Sequence, residues 1–286
     1  DFATLDVRNG QILPYALFLP SYAATAAYHH SSCGDDGPTL LELLDRAEDF
    51  ARTEYLNGLF QGGGLEHDDA RRLYQRSAEL TGLSLDLIQR HRARISPWLL
   101  RRELLRPEER LIGRMDTTIT GLDPEPGSPM PGYDPSLRPL YGPFSSAISD
   151  YIRQDLDYST RLAYEFLNPQ VSRKWDWCAD LKQEGLGQGY VNAADNLKQA
   201  MNINPNLRVF VACGLYDLAT PYFATRFTVN QMDLDQNIRD HLELVRYPAG
   251  HMIYLHPEVR EQLYHDVRAF YERASGTVRP DRSSPK

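Results

Sequence analysis

The sequence predicts an α/β chain with a parallel sheet in its C-terminal third, and three observations carry that expectation. Leu207-Arg208-Val209-Phe210-Val211-Ala212-Cys213 is apolar almost without alternation, as a parallel strand buried on both faces is. Leu242-Glu243-Leu244-Val245-Arg246-Tyr247 reads as a second strand. Helical stretches lie between and after the two: Pro221 to about Asn230 with Thr220 as its cap, and a last helix from Pro257 that places Val259, Leu263, Val267 and Phe270 on one face. A strand–helix–strand–helix order closes into a parallel sheet with helices packed on it.

Ahead of that third the pattern differs. Residues 1–30 are apolar and aromatic, and the prolines bounding Leu13-Pro14-Tyr15-Ala16-Leu17-Phe18-Leu19-Pro20 restrict that stretch to a short segment. Residues 31–38 form a turn-rich break. From Thr39 to about Tyr158 helical spacing dominates, beginning with Leu40, Leu43, Leu44, Ala47, Phe50 and Ala51. Asp68 or Asp69 is suited to cap a second helix that ends near Gly82, Ser84 a third, and Ser96-Pro97 gives a cap followed by proline at the first helical position. The basic residues from Arg90 to Arg110 alternate with apolar ones and read as a solvated helix face. Residues 121–143 are dense in proline and glycine and predict a long loop. Helices follow from about Phe144 to Asp157 and from Asn192 to Ile203, the latter stopped near Pro205.

Two positions combine into chemistry. Asp217 lies just past the first predicted strand and His251 just past the second. Catalytic groups of open α/β sheets gather at the carboxyl ends of strands, and neighbouring strands are about 4.8 Å apart, so side chains at their ends can meet. An Asp that accepts the imidazole Nδ1 proton fixes the tautomer and stabilises the imidazolium that forms during catalysis. Turn-forming Asp and Gly also follow strands for purely structural reasons, and spacing alone leaves both readings open.

Both segments resemble the C-terminal motifs of the serine carboxypeptidase family, within the α/β-hydrolase fold. Gly214 to Pro221 is similar to the family's G-x-x-D-x-x-x-P acid segment, and Gly250-His251-Met252 to its histidine segment. The likeness extends to residues 19–26, Trp175-Asp176-Trp177, Gly189-Tyr190-Val191-Asn192 and Tyr222-Phe223-Ala224-Thr225, which resemble the bacterial branch. The resemblance implies the C-terminal part of a parallel-sheet hydrolase core interrupted by a helical cap. Residues 1–37 would lead into the cap, 38–165 would form it with the Pro-rich loop 121–143 at its rim, 166–274 would carry the acid and histidine, and 275–286 would be a polar tail. It also implies cleavage of peptides at their C-terminus through an acyl-enzyme, with Asp217 orienting His251, His251 as general base and then acid, and Met252 lining the pocket for the released residue. The family's cellular setting implies a secreted or periplasmic enzyme.

The departure is the nucleophile. No G-x-S-x-G turn occurs in the 286 residues, and in an α/β-hydrolase the serine precedes the acid and the histidine. On this reading the serine and the oxyanion hole lie upstream of Asp1, an N-terminal remainder of the same protein is the expected partner, and the chain alone is expected to be inactive. Ser21, Ser145 and Ser146 stand in no such turn, and the last two read as first-turn residues of the helix near Phe144. Ester hydrolysis or acyl transfer on the same scaffold, and a non-catalytic interaction module, are the competing readings.

Composition narrows the partners. A formal charge of -8 argues against nucleic acid or an anionic membrane surface, and no apolar run approaches the roughly 20 residues of a membrane span. No cofactor is expected. His29, His30 and Cys33 lie close together but without zinc-ligand spacing. Cys213 reads as a small buried hydrophobe, and Cys33 and Cys178 are the two thiols available to pair in an oxidising compartment.

Overall fold

A computed structural model describes residues 5–7, 10–30, 39–162, 164–165, 167–175 and 192–276. The thiols Cys33 and Cys178, the break at 31–38, Asp176-Trp177, Gly189-Tyr190-Val191 and the tail beyond 276 lie outside the described residues.

The first helix, α1 (Leu13–His30), overturns the expectation of a short segment. Pro14 sits in the first turn, where its missing N–H has no intrahelical partner to lose. Pro20 does remove one bond, an interior loss of about 3 kcal/mol, but the helix is buried on all sides from Pro14 to Ala27. Phe18 and Leu19 alone each offset that by about 1.5–3 kcal/mol relative to exposure. Such a helix is hydrophobic all round because other helices surround it.

The helical block continues with α2 (Leu40–Phe50), α3 (Leu56–Gln61), α4 (His67–Thr81), α5 (Leu85–Arg90) and α6 (Pro97–Glu103), of which α2 and α4 pack directly on α1, as does the later helix Tyr222–Gln231. Thr39 caps α2 in a reciprocal capping box with Glu42. Helices α2 and α3 run into each other through a widened turn at Ala51–Tyr55. Gly82 ends α4 in the left-handed conformation, at φ 69°. Glu66 stands at the cap of α4 without a side-chain bond, and Asp68 and Asp69 fall in the first turn, two and three residues past the cap position. Ser84 and Ser96 cap α5 and α6 as expected, each accepting a backbone N–H.

Next comes a hairpin that helical periodicity does not show. Strands β1 (Arg110–Ile112) and β2 (Thr120–Leu122) pair antiparallel, with Leu111 opposite Gly121. The basic run before it is not a wholly solvated face. Arg101 and Arg102 are each 2% exposed. Arg101 donates to the carbonyls of Ile112 and Tyr133, and Arg102 bonds the carbonyl of Met130 and pairs with Asp123 at 2.9 Å. Two guanidiniums therefore organise the Pro-rich loop by satisfying carbonyls that loop cannot pair internally.

The remainder contains α7 (Tyr141–Asp150), α8 (Pro169–Lys174), α9 (Ala194–Ile203), strand β3 (Val209–Gly214), α10 (Tyr222–Gln231), α11 (Gln236–Arg239), strand β4 (Leu242–Tyr247) and α12 (Pro257–Ala274). Strands β3 and β4 are parallel, in a register that sets Val209 opposite Leu242 and Gly214 opposite Tyr247. Successive side chains alternate between faces. Val209, Val211 and Leu244 pack with Met201, Val229 and Met232, whereas Phe210 and Val245 pack with Tyr247, Val259 and Leu263. Helices thus cover both faces, but among the described residues the sheet has two strands. Val209 to Val211 are only half-buried and Ala212 is exposed, so the expectation of a strand buried on both faces is met in pattern and not in degree. The fold is mixed α/β. Among the described residues no helix is long and apolar enough to cross a membrane.

One core joins the helical block to the strand ends. Tyr22, Leu44, Phe50 and Leu100 belong to the same buried cluster as Cys213, Leu218, Tyr222 and Phe223.

Candidate functional site

The register of β3 and β4 brings their C-terminal ends level, and the ladder continues beyond them. Leu215 N–H donates to the Tyr247 carbonyl at 2.9 Å and Tyr216 N–H to that of Ala249 at 3.0 Å. The two following loops are thereby held side by side. Gly214 fits because a Cβ there would lie 2.3 Å from the Gly250 carbonyl oxygen.

On this base Asp217 and His251 meet. Asp217 Oδ2 lies 2.8 Å from His251 Nδ1. Asp217 is 3% exposed, and its charge is fully satisfied. Oδ1 accepts the N–H groups of Ala219 at 2.6 Å and Thr220 at 3.0 Å, and Oδ2 also accepts the Thr220 hydroxyl at 2.8 Å. Thr220 does not cap α10, as the sequence suggests. Pro221 holds the cap position without a side-chain bond, and the Thr220 hydroxyl serves the carboxylate. An ionised carboxylate only accepts, so Nδ1 carries the proton and Nε2 the lone pair. Among the described residues no group hydrogen-bonds to Nε2, and the His251 side chain is 42% exposed. Met252 follows it, half-buried.

A third segment, Arg114–Thr117, runs beneath both loops and was not visible as part of the site in the sequence. Leu218 N–H donates to the Arg114 carbonyl at 3.0 Å, Thr117 N–H to that of Tyr216 at 3.0 Å, and His251 N–H to that of Met115 at 2.6 Å. The segment is itself pinned. Ser136 Oγ accepts the N–H groups of Met115 and Asp116 and donates to Asp134 Oδ1 at 2.6 Å. Part of the Pro-rich loop therefore supports the site. The available signal was Asp134-Pro135-Ser136, a turn sequence inside that loop.

Gly250 shows how tightly the segments approach. A Cβ there would lie 2.4 Å from the Met115 carbonyl oxygen and 2.5 Å from Asp116 Cβ. Gly250→Ala is expected to cost about 1–3 kcal/mol, the range for forcing atoms into a filled site, and to displace the His251 backbone from Met115. Urea unfolding read beside the His251 ring resonances tests both effects. Unchanged stability with unchanged resonances would mean the loops are not packed this closely.

A second acid–imidazole pair flanks the first. Asp116, 6% exposed, places Oδ2 2.6 Å from His256 Nε2, while its Oδ1 accepts the backbone and side-chain groups of Thr118. This pair ties the far end of the histidine loop to the Arg114–Thr117 segment. From α1, Thr25 Oγ1 meets Thr117 Oγ1 at 2.7 Å, and His29 Nε2 lies 2.6 Å from the Thr117 carbonyl, to which it donates. His29, weighed as a metal ligand from the sequence, is engaged in this bond. Among the described residues no group of three or more His, Cys, Asp or Glu is placed to hold a metal ion.

The two imidazoles respond oppositely to their surroundings. The hydrogen bond to Asp217 raises the pKa of His251 above its ordinary 6.5, against opposing effects of burial and of the Arg114 charge. Burial lowers that of His29, against the bond to Thr117. A raised folded value means that the Asp217–His251 contribution to stability is complete below about pH 6.5 and fades as pH rises through the folded value. A lowered value means that His29 costs stability as pH falls below 6.5. Titration of the ring resonances by NMR is expected to give midpoints on opposite sides of 6.5. A His251 midpoint at or below that of His29 would contradict the described bonds.

The sequence's other nucleophile candidates stand apart. Ser21 is wholly buried within α1. Ser145 and Ser146 lie in the second turn of α7, not its first. Burial pushes the Cys213 thiol up to about 11, which keeps it protonated and unreactive. Clefts lie between α3 and α4, in the stretch just past α7 and at α8, and none of these three includes Asp217 or His251. Comparison with protein-family models, with curated proteins and with solved structures finds no match to this chain.

Proposed function

We propose that Asp217 and His251 are the acid and the general base of a Ser–Asp–His hydrolase that releases residues from peptide C-termini. The observation that carries the acid–base part is the 2.8 Å bond between Asp217 Oδ2 and His251 Nδ1 at the ends of adjacent parallel strands, with Nε2 left unpartnered among the described residues. The peptide substrate rests on the resemblance of residues 214–221 and 250–252 to the serine carboxypeptidase motifs. So does the finer fold, a hydrolase core with residues 38–165 as its cap.

On this reading a serine hydroxyl from sequence upstream of Asp1 attacks the scissile carbonyl while His251 Nε2 takes its proton. The Asp217 carboxylate stabilises the imidazolium so formed. The imidazolium then protonates the leaving amine as the C–N bond breaks, which leaves an acyl ester on the serine. Water attacks that ester, giving its proton to Nε2, and the serine oxygen recovers the proton as it leaves.

The test is hydrolysis of a blocked dipeptide by protein made from its complete coding sequence. Release of the C-terminal amino acid, lost in His251→Ala, supports the reading. Turnover that survives His251→Ala, or a coding sequence without a nucleophile turn, overturns it. The 286 residues alone are expected to release nothing.

A further inference from the structure

We propose that the Arg114 guanidinium, set against the Trp98 indole on the segment that bonds the His251 backbone, receives a carboxylate group of the ligand. This inference rests on the hydrolase reading of the same site and names the group that would anchor the substrate there.

The first observation is an imbalance of charge. Arg101 and Arg114 share one indole, with their guanidinium carbons 5.5 and 5.7 Å from the Trp98 ring centroid. Asp134 is the one carboxylate paired with either of them among the described residues, 4.0 Å from Arg101. Arg101 is otherwise committed to the carbonyls of Ile112 and Tyr133. The carboxylates of the neighbouring loops are committed as well, Asp217 to His251 and Asp116 to His256.

The second observation is that, among the described residues, Arg114 makes hydrogen bonds through its backbone alone. Its N–H donates to Asp134 Oδ1 at 3.1 Å and its carbonyl accepts Leu218 N–H at 3.0 Å. Arg114 is half-buried as a residue, and among the described residues its guanidinium has no hydrogen-bond acceptor. A guanidinium keeps its charge at any working pH and offers parallel N–H groups that match a carboxylate. Stacking on an indole holds it in place while leaving that edge available.

The third observation is position. The next residue, Met115, accepts the His251 N–H through its carbonyl at 2.6 Å, so the Arg114 backbone is one residue from a direct bond to the histidine loop. Its charge also reaches the ring, where it opposes the protonation of His251 that Asp217 favours. A carboxylate bound here would face a charge that acts on His251, and a neutral amide would forgo a charge-assisted pair of hydrogen bonds.

The probes are N-acetyl-leucine, which has a free carboxylate, and N-acetyl-leucinamide, which does not. Titration calorimetry and the His251 ring resonance are expected to show that the acid binds at least roughly tenfold more tightly than the amide, the scale of one charge-assisted contact. Arg114→Gln is expected to erase that preference. Arg114→Lys, which keeps the charge but not the fork, is expected to retain part of it. Trp98→Leu, which keeps the charge but removes the platform, is expected to weaken it. The proposal is overturned if wild-type protein binds both probes equally or neither, or if folded Arg114→Gln keeps the preference. Should Arg114→Gln fail to fold, the wild-type comparison and Arg114→Lys decide. None of these readings needs turnover. A carboxylate preference that depends on Arg114, in protein made from the complete coding sequence that hydrolyses no blocked dipeptide, would sink the hydrolase reading and leave this site standing.

Discussion

Asp217→Asn is expected to lower kcat of the complete protein at neutral pH by about four orders of magnitude, as the equivalent change does in a serine protease of another fold. The local geometry explains why the loss should be so large. Asp217 Oδ1 is held by the N–H groups of Ala219 and Thr220. An asparagine must keep its carbonyl oxygen at that position, because its amide nitrogen cannot accept from two donors. The NH2 group then takes the place of Oδ2 and points a proton at His251 Nδ1. With that proton facing Nδ1, the imidazole is expected to carry its own proton on Nε2, which removes the lone pair a general base needs. The same switch is readable without activity, since the ring nitrogens of the 286-residue chain would exchange protonated and unprotonated character by NMR. If kcat falls less than tenfold, or the tautomer is unchanged, Asp217 does not orient His251.

Glu48→Ala is expected to destabilise the fold by about 3 kcal/mol, the low end for breaking a buried ion pair by removing one partner. Glu48 lies near the end of α2 and is 5% exposed. Its Oε1 accepts the Tyr222 hydroxyl at 2.9 Å and Arg246 at 3.1 Å, and its Oε2 pairs with Arg226 at 2.6 Å. One carboxylate thus connects α2 with α10 and β4. The loss falls at the low end because Arg226 and Arg246 are 32% and 29% exposed and can recover water. Tyr222 cannot, being wholly buried, and its hydroxyl would lose its acceptor. Glu48→Gln keeps an acceptor for Tyr222 and is expected to cost less. Urea unfolding of the three proteins measures the order, with the midpoint falling and the slope unchanged. Equal stability of wild type and Glu48→Ala would show that the helical block and the sheet are joined by apolar packing alone.

What the sequence displayed, and what it hid, follow from the range of the interactions. Asp217 and His251 stood out because each follows a six-residue strand with a readable pattern, and parallel pairing converts that local fact into a meeting of side chains. The caps at Ser84 and Ser96 were equally local. The platform under the pair was hidden because β1 and β2 have three residues each, too few for any period to register. Arg101 and Arg102 looked like solvated charges because their partners are carbonyls of the Pro-rich loop, and no pattern in a basic run reveals an acceptor so far along the chain. Pro14 and Pro20 shortened α1 on paper, since local propensity counts the lost bond and not the helices that enclose it.

The mutual anchoring of the two loops and the Arg114–Thr117 segment bears on the order in which the molecule assembles. Asp116 and His256 are 140 residues apart in the chain, and Thr25 and Thr117 are 92 apart. Contacts of that separation are entropically late, because the loops they close must be ordered before any contact repays the closure. The strand ends can pair early through β3 and β4, but the imidazole is not held until the hairpin, the Pro-rich turn and α1 have all arrived. Competence at this site is therefore a property of the completed chain, and partly folded forms that already contain both strands would still lack it.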